Sequence, residues 1–80
     1  MSKQWIKLSV LRPGENGILR QTEMPAAQQL RMEELGLLPG AMIRCLYRAP
    51  HGTPAAYLIG DAVFALRRKD AERIRVETVR

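Results

Sequence analysis

The sequence predicts a small all-β fold, a β-barrel with one short inserted helix. Five or six short strand-like stretches follow one another at close spacing, each ended by turn-forming residues, and one helix-forming stretch interrupts them early. Short strands are protected from pairing with other chains when their sheet closes on itself. The chain has 80 residues, so we expect one domain, residues 1–80, with a thin core.

Two strands are expected before the helix. Apolar and polar residues alternate over residues 6–10, which is the period of a half-buried strand, with Leu8 and Val10 on the same face. Turn formers are dense over residues 12–17 and end this strand. Residues 18–22 are expected to form a second short extended stretch.

The helix is expected over residues 26–35, where Ala, Gln, Leu, Arg, Met and Glu predominate. Pro25 suits its first turn, where the missing N–H loses nothing. Met32 and Leu35 lie three residues apart and are expected to face the core. Leu30 falls outside that face and is expected to be exposed.

Residues 35–40 end the helix and lead into the next strand. Gly36 stands where the helix would end, and it can take the left-handed conformation of a C-terminal cap without a Cβ penalty. Leu37 can then fold back onto the helix end. Pro39 and Gly40 predict a turn, so this stretch is architectural rather than chemical.

The second half of the chain is expected to be mainly extended. Over residues 42–48, Ile43, Cys45 and Tyr47 share a predicted core face, while Leu46 falls on the charged face. A loop with two prolines and a glycine follows and indicates a hairpin. The remaining expected elements are strands at residues 57–59, 62–66 and 74–77, with Phe64 and Leu66 on one face, and a helical turn at 69–73.

The charge balance is basic. The chain carries 13 Lys and Arg against 8 Asp and Glu, a net charge of +5, and most of the excess lies in residues 41–80. A basic face suits nucleic acid, an anionic membrane surface or an acidic protein partner. Specific binding of nucleic acid would also require stacking aromatics or a basic recognition helix, and the densest cluster is only Arg67, Arg68 and Lys69. A small basic nucleic-acid-binding domain is therefore the alternative function.

Few side chains could carry chemistry. His51 is the only histidine and Cys45 the only cysteine, so a catalytic constellation or a cluster of metal ligands is not expected. We predict a protein that is not an enzyme and that needs no cofactor or metal. No apolar run approaches the roughly 18 residues of a membrane span, and the first residues do not read as a signal peptide. These features favour the reducing cytoplasm.

Four segments, in this order and spacing, carry a resemblance to a known family. They are residues 31–40 with Ile43, residues 49–54, residues 65–71 and residues 74–77. Together they resemble the FeoA family, ferrous iron transport protein A, over most of the chain. Met32 stands where the family usually has leucine, which is a volume-conserving change.

The resemblance implies an SH3-like small β-barrel in the cytoplasm that acts with ferrous iron transport protein B, a membrane permease with a GTP-binding domain. It does not imply that this chain itself binds iron. The hypothesis is therefore a non-catalytic accessory protein of bacterial ferrous iron uptake that docks on the permease. An SH3-type reader of proline-rich peptides is disfavoured because the four aromatic residues are scattered. Self-association is left open by the sequence. The candidate partner contacts are Leu30 and Leu38, as unassigned apolar residues, and Arg67, Arg68 and Lys69, as a basic rim.

Overall fold

Six strands form one antiparallel sheet, and an α-helix is inserted after the second strand. The computed structural model describes residues 4–51 and 53–79. Along the sheet the strands lie in the order β1-β6-β2-β3-β4-β5. The elements are β1 (Trp5–Lys7), a 3-10 turn (Leu8–Val10), β2 (Asn16–Thr22), α1 (Ala26–Glu34), β3 (Met42–Arg48), β4 (Ala55–Ile59), β5 (Ala62–Leu66), α2 (Arg68–Ala71) and β6 (Ile74–Val79).

The all-β fold with one inserted helix is confirmed, but the sheet does not close into a barrel. Strands β1 and β5 stand at its two ends, and within the described ranges no strand pairing joins them. The inner face of the sheet holds the core, which includes Ile43 and Cys45 side by side on β3, as their alternation predicts. The largest fully buried side chains are Tyr57, Leu8, Leu11, Leu19, Ile43, Ile74, Val76 and Cys45.

The first predicted strand is wrong over its second half. The extended backbone ends at Lys7, and Leu8–Val10 forms a 3-10 turn in which the Leu11 N–H donates to the Leu8 carbonyl oxygen at 3.1 Å. The turn breaks the two-residue period, so Leu8 is buried while Val10 is exposed. Because β1 is so short, it offers few backbone groups for pairing with β5, which is one reason why the sheet stays open at that end.

A β-bulge in β3 changes which side chains face the core. Cys45 lies opposite Tyr57 and Tyr47 opposite Ala56, so Leu46 is an extra residue in the ladder. Tyr47, expected on the core face, is instead 57% exposed. Leu46 points to solvent, as the alternation predicts, and the bulge adds Tyr47 to the residues that leave the inner face.

Helix α1 contributes little to the core. None of its residues is fully buried, and Met32 is the one that packs partly against the core cluster. Leu35, predicted to face the core, is 51% exposed because the helix ends at Glu34 and Leu37 takes the buried position at this end. Leu30 is exposed, as expected.

The end of α1 is a Schellman cap built around Gly36. The Leu37 N–H donates to the Met32 carbonyl oxygen at 2.9 Å, and the Gly36 N–H donates to the Glu33 carbonyl oxygen at 3.0 Å. Gly36 has φ +99°, and Leu37 is buried. Both the left-handed cap and the return of Leu37 onto the helix end confirm the sequence prediction.

Replacing Gly36 with alanine should lower the free energy of unfolding by about 1 kcal/mol. A Cβ at this position meets nothing within 4 Å, so the cost comes from the left-handed backbone alone. Chemical denaturation would measure it, with Gly36→Asn as the matched variant, because asparagine enters this conformation more easily. An alanine variant as stable as the unchanged protein would contradict the expectation.

Candidate partner-binding surface

An apolar groove of about 220 Å³ runs between α1 and the segment that joins β5 to α2. On the helix side it is lined by Gln28, Met32 and Leu35, which follow one another at helical spacing. Leu66, at the end of β5, lies on the opposite side. Met24, Arg31 and Asp70 complete the lining.

A basic depression of about 400 Å³ adjoins this groove and shares Gln28 and Asp70 with it. Three cations line it: Arg67, Lys69 and Arg73. Among the described residues, none of the three forms an ion pair with a carboxylate. The groove therefore has an apolar floor and a charged end whose cations can meet an acidic partner. We call the two together the α1 groove.

The basic cluster predicted from the sequence is divided by the local backbone. Arg67 is extended and exposed and lines the basic depression. Arg68 begins α2 and is fixed to the loop before β4: its backbone N–H donates to Thr53 Oγ1 at 3.1 Å, and its Nη2 donates to the His51 carbonyl oxygen at 3.0 Å. Only Arg67 and Lys69 of the three therefore face the α1 groove.

The two candidate leucines are both exposed but lie apart from this charge. Leu30 shares a shallow depression with Ala26, Gln29 and Glu33, on another side of α1. Leu38 lies in the turn between α1 and β3, where its N–H donates to the Gly36 carbonyl oxygen at 3.0 Å. The structure thus places Leu35, rather than Leu30 or Leu38, in the apolar groove that adjoins the basic depression.

Sequence reasoning missed Leu35, Met24 and Arg73 as groove residues. The helical spacing of Gln28, Met32 and Leu35 was visible, but it indicated burial, since apolar residues on one helix face usually pack on a core. Arg73 comes to the groove only through the turn after α2. That juxtaposition depends on tertiary structure and leaves no local signal.

Within the described ranges, no three His, Cys, Asp or Glu side chains come together in a way that could hold a metal ion. Cys45 is fully buried. Burial raises the pKa of Tyr57, the neighbouring Cys45 raises it further, and the Arg48 cation acts in the opposite direction. No described helix combines the length and apolar character that crossing a bilayer requires.

An antiparallel β fold of this size, with a helix inserted after its second strand, defines a small SH3-like domain, and the α1 groove is its candidate partner-binding surface. The profile of the FeoA domain matches residues 6–78. The chain belongs to the FeoA family, which confirms the resemblance carried by its four sequence segments.

One relative joins such a domain to a transporter in a single chain. It is the Fe(2+) transport protein A/Fe(2+) transporter FeoB fusion protein of Porphyromonas gingivalis (strain ATCC BAA-308 / W83), 32% identical over 74 residues. The match covers 92% of this chain but only 9% of the relative. This chain therefore spans less than a tenth of that protein's length.

Two solved structures have the same fold. The solution structure of the FeoA protein from Chlorobium tepidum is 31% identical, with a TM-score of 0.88 over 94% of this chain and 71% of that one. The FeoA of Stenotrophomonas maltophilia, described as a prokaryotic SH3 domain protein and crystallised with zinc, is 28% identical, with a TM-score of 0.73 over 95% and 89% of the two chains. These likenesses confirm the SH3-like fold expected from the sequence.

Proposed function

We propose that this chain is a non-catalytic accessory protein of ferrous iron uptake, located in the cytoplasm, that binds the cytoplasmic part of the ferrous iron permease, ferrous iron transport protein B. The observation that carries the proposal is the α1 groove. Its apolar part ends in a depression lined by three cations that form no ion pair with a carboxylate among the described residues. The fused relative supports the choice of partner, since fusion places the two proteins in one chain.

The groove suits an apolar segment with acidic residues beside it. Met24, Met32, Leu35 and Leu66 offer flexible apolar contacts, and thioether side chains adapt to the shape of a partner. Arg67 and Lys69 would select acidic groups and raise the association rate. Arg68, Leu30 and Leu38 remain candidate contacts outside the α1 groove.

The direct test is binding of the purified chain to the permease's cytoplasmic region, measured by calorimetry. Lys69→Glu with Arg73→Glu reverses charge in the basic depression, and Leu35→Glu places a carboxylate in the apolar part. Each change should weaken binding by about tenfold or more, because a contact near the centre of an interface is replaced by a repulsive one. Arg44→Glu, on the outer face of β3, is the matched control and should leave the affinity unchanged.

Two further measurements test how far the binding surface extends and whether binding matters for iron uptake. Leu30→Glu with Leu38→Glu tests whether the surface extends to the two leucines, and rescue of iron uptake in cells lacking the gene links binding to function. Unaltered affinity in every folded groove variant would show that this surface is not the contact. Binding to arbitrary duplex DNA that falls steeply with salt, without binding to the permease, would favour the nucleic-acid alternative.

A further inference from the structure

Strand β5 presents an unpaired edge with an unusual composition. It stands at the end of the sheet and pairs with β4 only, and no other strand in the described ranges covers its second side. Its five residues, Ala62–Leu66, are all apolar, with no charge and no proline. Natural sheets normally protect such an edge with charges, prolines or bulges, because its free backbone groups pair readily with another strand.

The backbone groups on the free side can be assigned from the hairpin that joins β4 to β5. The loop has two residues, Gly60 and Asp61, and Gly60 has φ +59°, as in a type II′ turn. The pair that closes such a hairpin, Ile59 and Ala62, exchanges hydrogen bonds, and the pairs alternate from there. The N–H and C=O groups of Val63 and Ala65 therefore point away from β4.

These free groups have no partner elsewhere in the described chain. Neither Val63 nor Ala65 takes part in a backbone hydrogen bond outside its own ladder, and neither receives one from a side chain. Val63 is 61% exposed and Ala65 is also exposed. Phe64 and Leu66 pack on the core but keep part of their surface open. The backbone groups at this edge thus lack hydrogen-bond partners within the described chain and are accessible to another strand.

We infer that β5 pairs with β5 of a second copy of this chain, antiparallel and centred on Phe64. In that register Val63 of each copy lies opposite Ala65 of the other, and the two residues exchange about four backbone hydrogen bonds in total. Ala62 lies opposite Leu66, so a small side chain meets a large one on the inner face. The two Phe64 rings meet at the two-fold axis as a close, non-hydrogen-bonded pair.

Charge supports the same register. Asp61 precedes β5 and Arg67 follows it, and pairing centred on Phe64 brings Asp61 of one copy opposite Arg67 of the other. Arg67 is still extended, with φ −71° and ψ 155°, so it continues the strand. The two-fold axis repeats the contact, so two opposite-charge pairs flank an apolar centre. A shift of the centre to Val63 or Ala65 loses both pairs.

The other end of the sheet does not offer a comparable edge. Strand β1 has only three residues and carries Lys7, and the chain leaves the extended conformation at Leu8. Short, charged edges of this kind resist pairing. The assembly therefore closes as a symmetric dimer rather than growing into a fibre. This inference does not rest on the proposed partner in iron uptake.

The first measurement is the concentration dependence of the molar mass, by sedimentation equilibrium. The unchanged chain should move from 9.1 kDa towards twice that value as concentration rises. Ala65→Pro should remove association while the fold is kept, because it deletes an N–H on the free side of an edge strand. Circular dichroism and thermal melting verify the fold. A wild-type chain that stays monomeric up to millimolar concentration overturns the proposal.

A charge exchange between two chains tests the register. Asp61→Arg and Arg67→Asp, each alone, place like charges opposite one another twice, so each homodimer should weaken about tenfold. A mixture of the two variants should form a heterodimer at least as tight as the wild-type dimer, since both pairs are again of opposite sign. Within one chain the two side chains stand roughly 20 Å apart along the strand, so the rescue cannot arise inside a monomer. No rescue in the mixture overturns the pairing centred on Phe64.

Discussion

Replacing Gly17 with alanine should lower the free energy of unfolding by about 3 kcal/mol, at the upper end of what an added methyl group costs in a packed core. Gly17 lies in β2 between two partners, opposite Ile43 on β3 and Thr78 on β6. A Cβ at this position would stand 2.9 Å from both Cβ and Cγ2 of Val76, which is fully buried. Because one of these atoms is fixed to the backbone of β6, rotation of a side chain cannot relieve the contact.

A loss of this size is large for a protein of 80 residues, whose total stability is expected to be roughly 4–12 kcal/mol. The melting temperature should fall by roughly 12–24 °C. Gly14→Ala is the matched control, since Gly14 has φ +89° but open space around its Cβ and should cost only about 1 kcal/mol. Adding Val76→Ala to Gly17→Ala should recover part of the loss by removing Cγ2. Simple additivity of the two changes would show that the contact with Val76 Cγ2 does not contribute, leaving the contact with Val76 Cβ, which alanine retains.

Much of the fold could be predicted from local patterns. The alternation around Ile43 and Cys45 placed both in the core, and the glycine at position 36 marked the cap where the helix ends. These predictions depend on periods and on backbone preferences, which act over a few residues. The SH3-like class came from the resemblance to the FeoA family.

The places where the structure departs from these local patterns could not be predicted from the sequence. The bulge that turns Tyr47 outward exists because β4 pairs with one residue fewer than β3 supplies, and that count is a property of two strands. The 3-10 turn at Leu8–Val10 occurs in a stretch where apolar and polar residues alternate as regularly as they do in a strand. Sequence alternation describes an isolated stretch, whereas the register of its neighbour decides where the pattern is interrupted.

The candidate surface was predicted in part. Charge density identified Arg67 and Lys69, because a cluster of like charges is visible in the sequence without any knowledge of the fold. Leu35 was predicted to face the core, because the pattern of the helix does not show that the sheet leaves this side chain uncovered. Strand β5 was placed correctly, but its position at the end of the sheet depends on strand order. The free edge therefore became visible only with the topology.

Arg48→Met should cost about 2–3 kcal/mol, because hydrogen bonds from a charged donor contribute more than neutral ones. Arg48 ends β3 just beyond the bulge, and its Nη2 donates to the carbonyl oxygens of Ser9 and Leu11, the latter at 2.6 Å. The Tyr57 hydroxyl lies 3.5 Å from the Leu8 carbonyl oxygen on the same segment. Arg48 therefore ties the 3-10 turn to the sheet, and methionine would leave two carbonyl groups without their donor.

Arg44→Met is the control for the loss of an arginine, since Arg44 lies on the exposed outer face of the same strand and should change stability by less than about 0.5 kcal/mol. Denaturation of both variants gives the difference. The pKa of Tyr57 supplies a second readout: burial raises it and the Arg48 cation lowers it, so Arg48→Met should move it further upward in an NMR titration of the ring. Equal stability of the two variants, with no change in the titration of Tyr57, would mean that the turn is held by the packing of Leu8 and Leu11 rather than by Arg48.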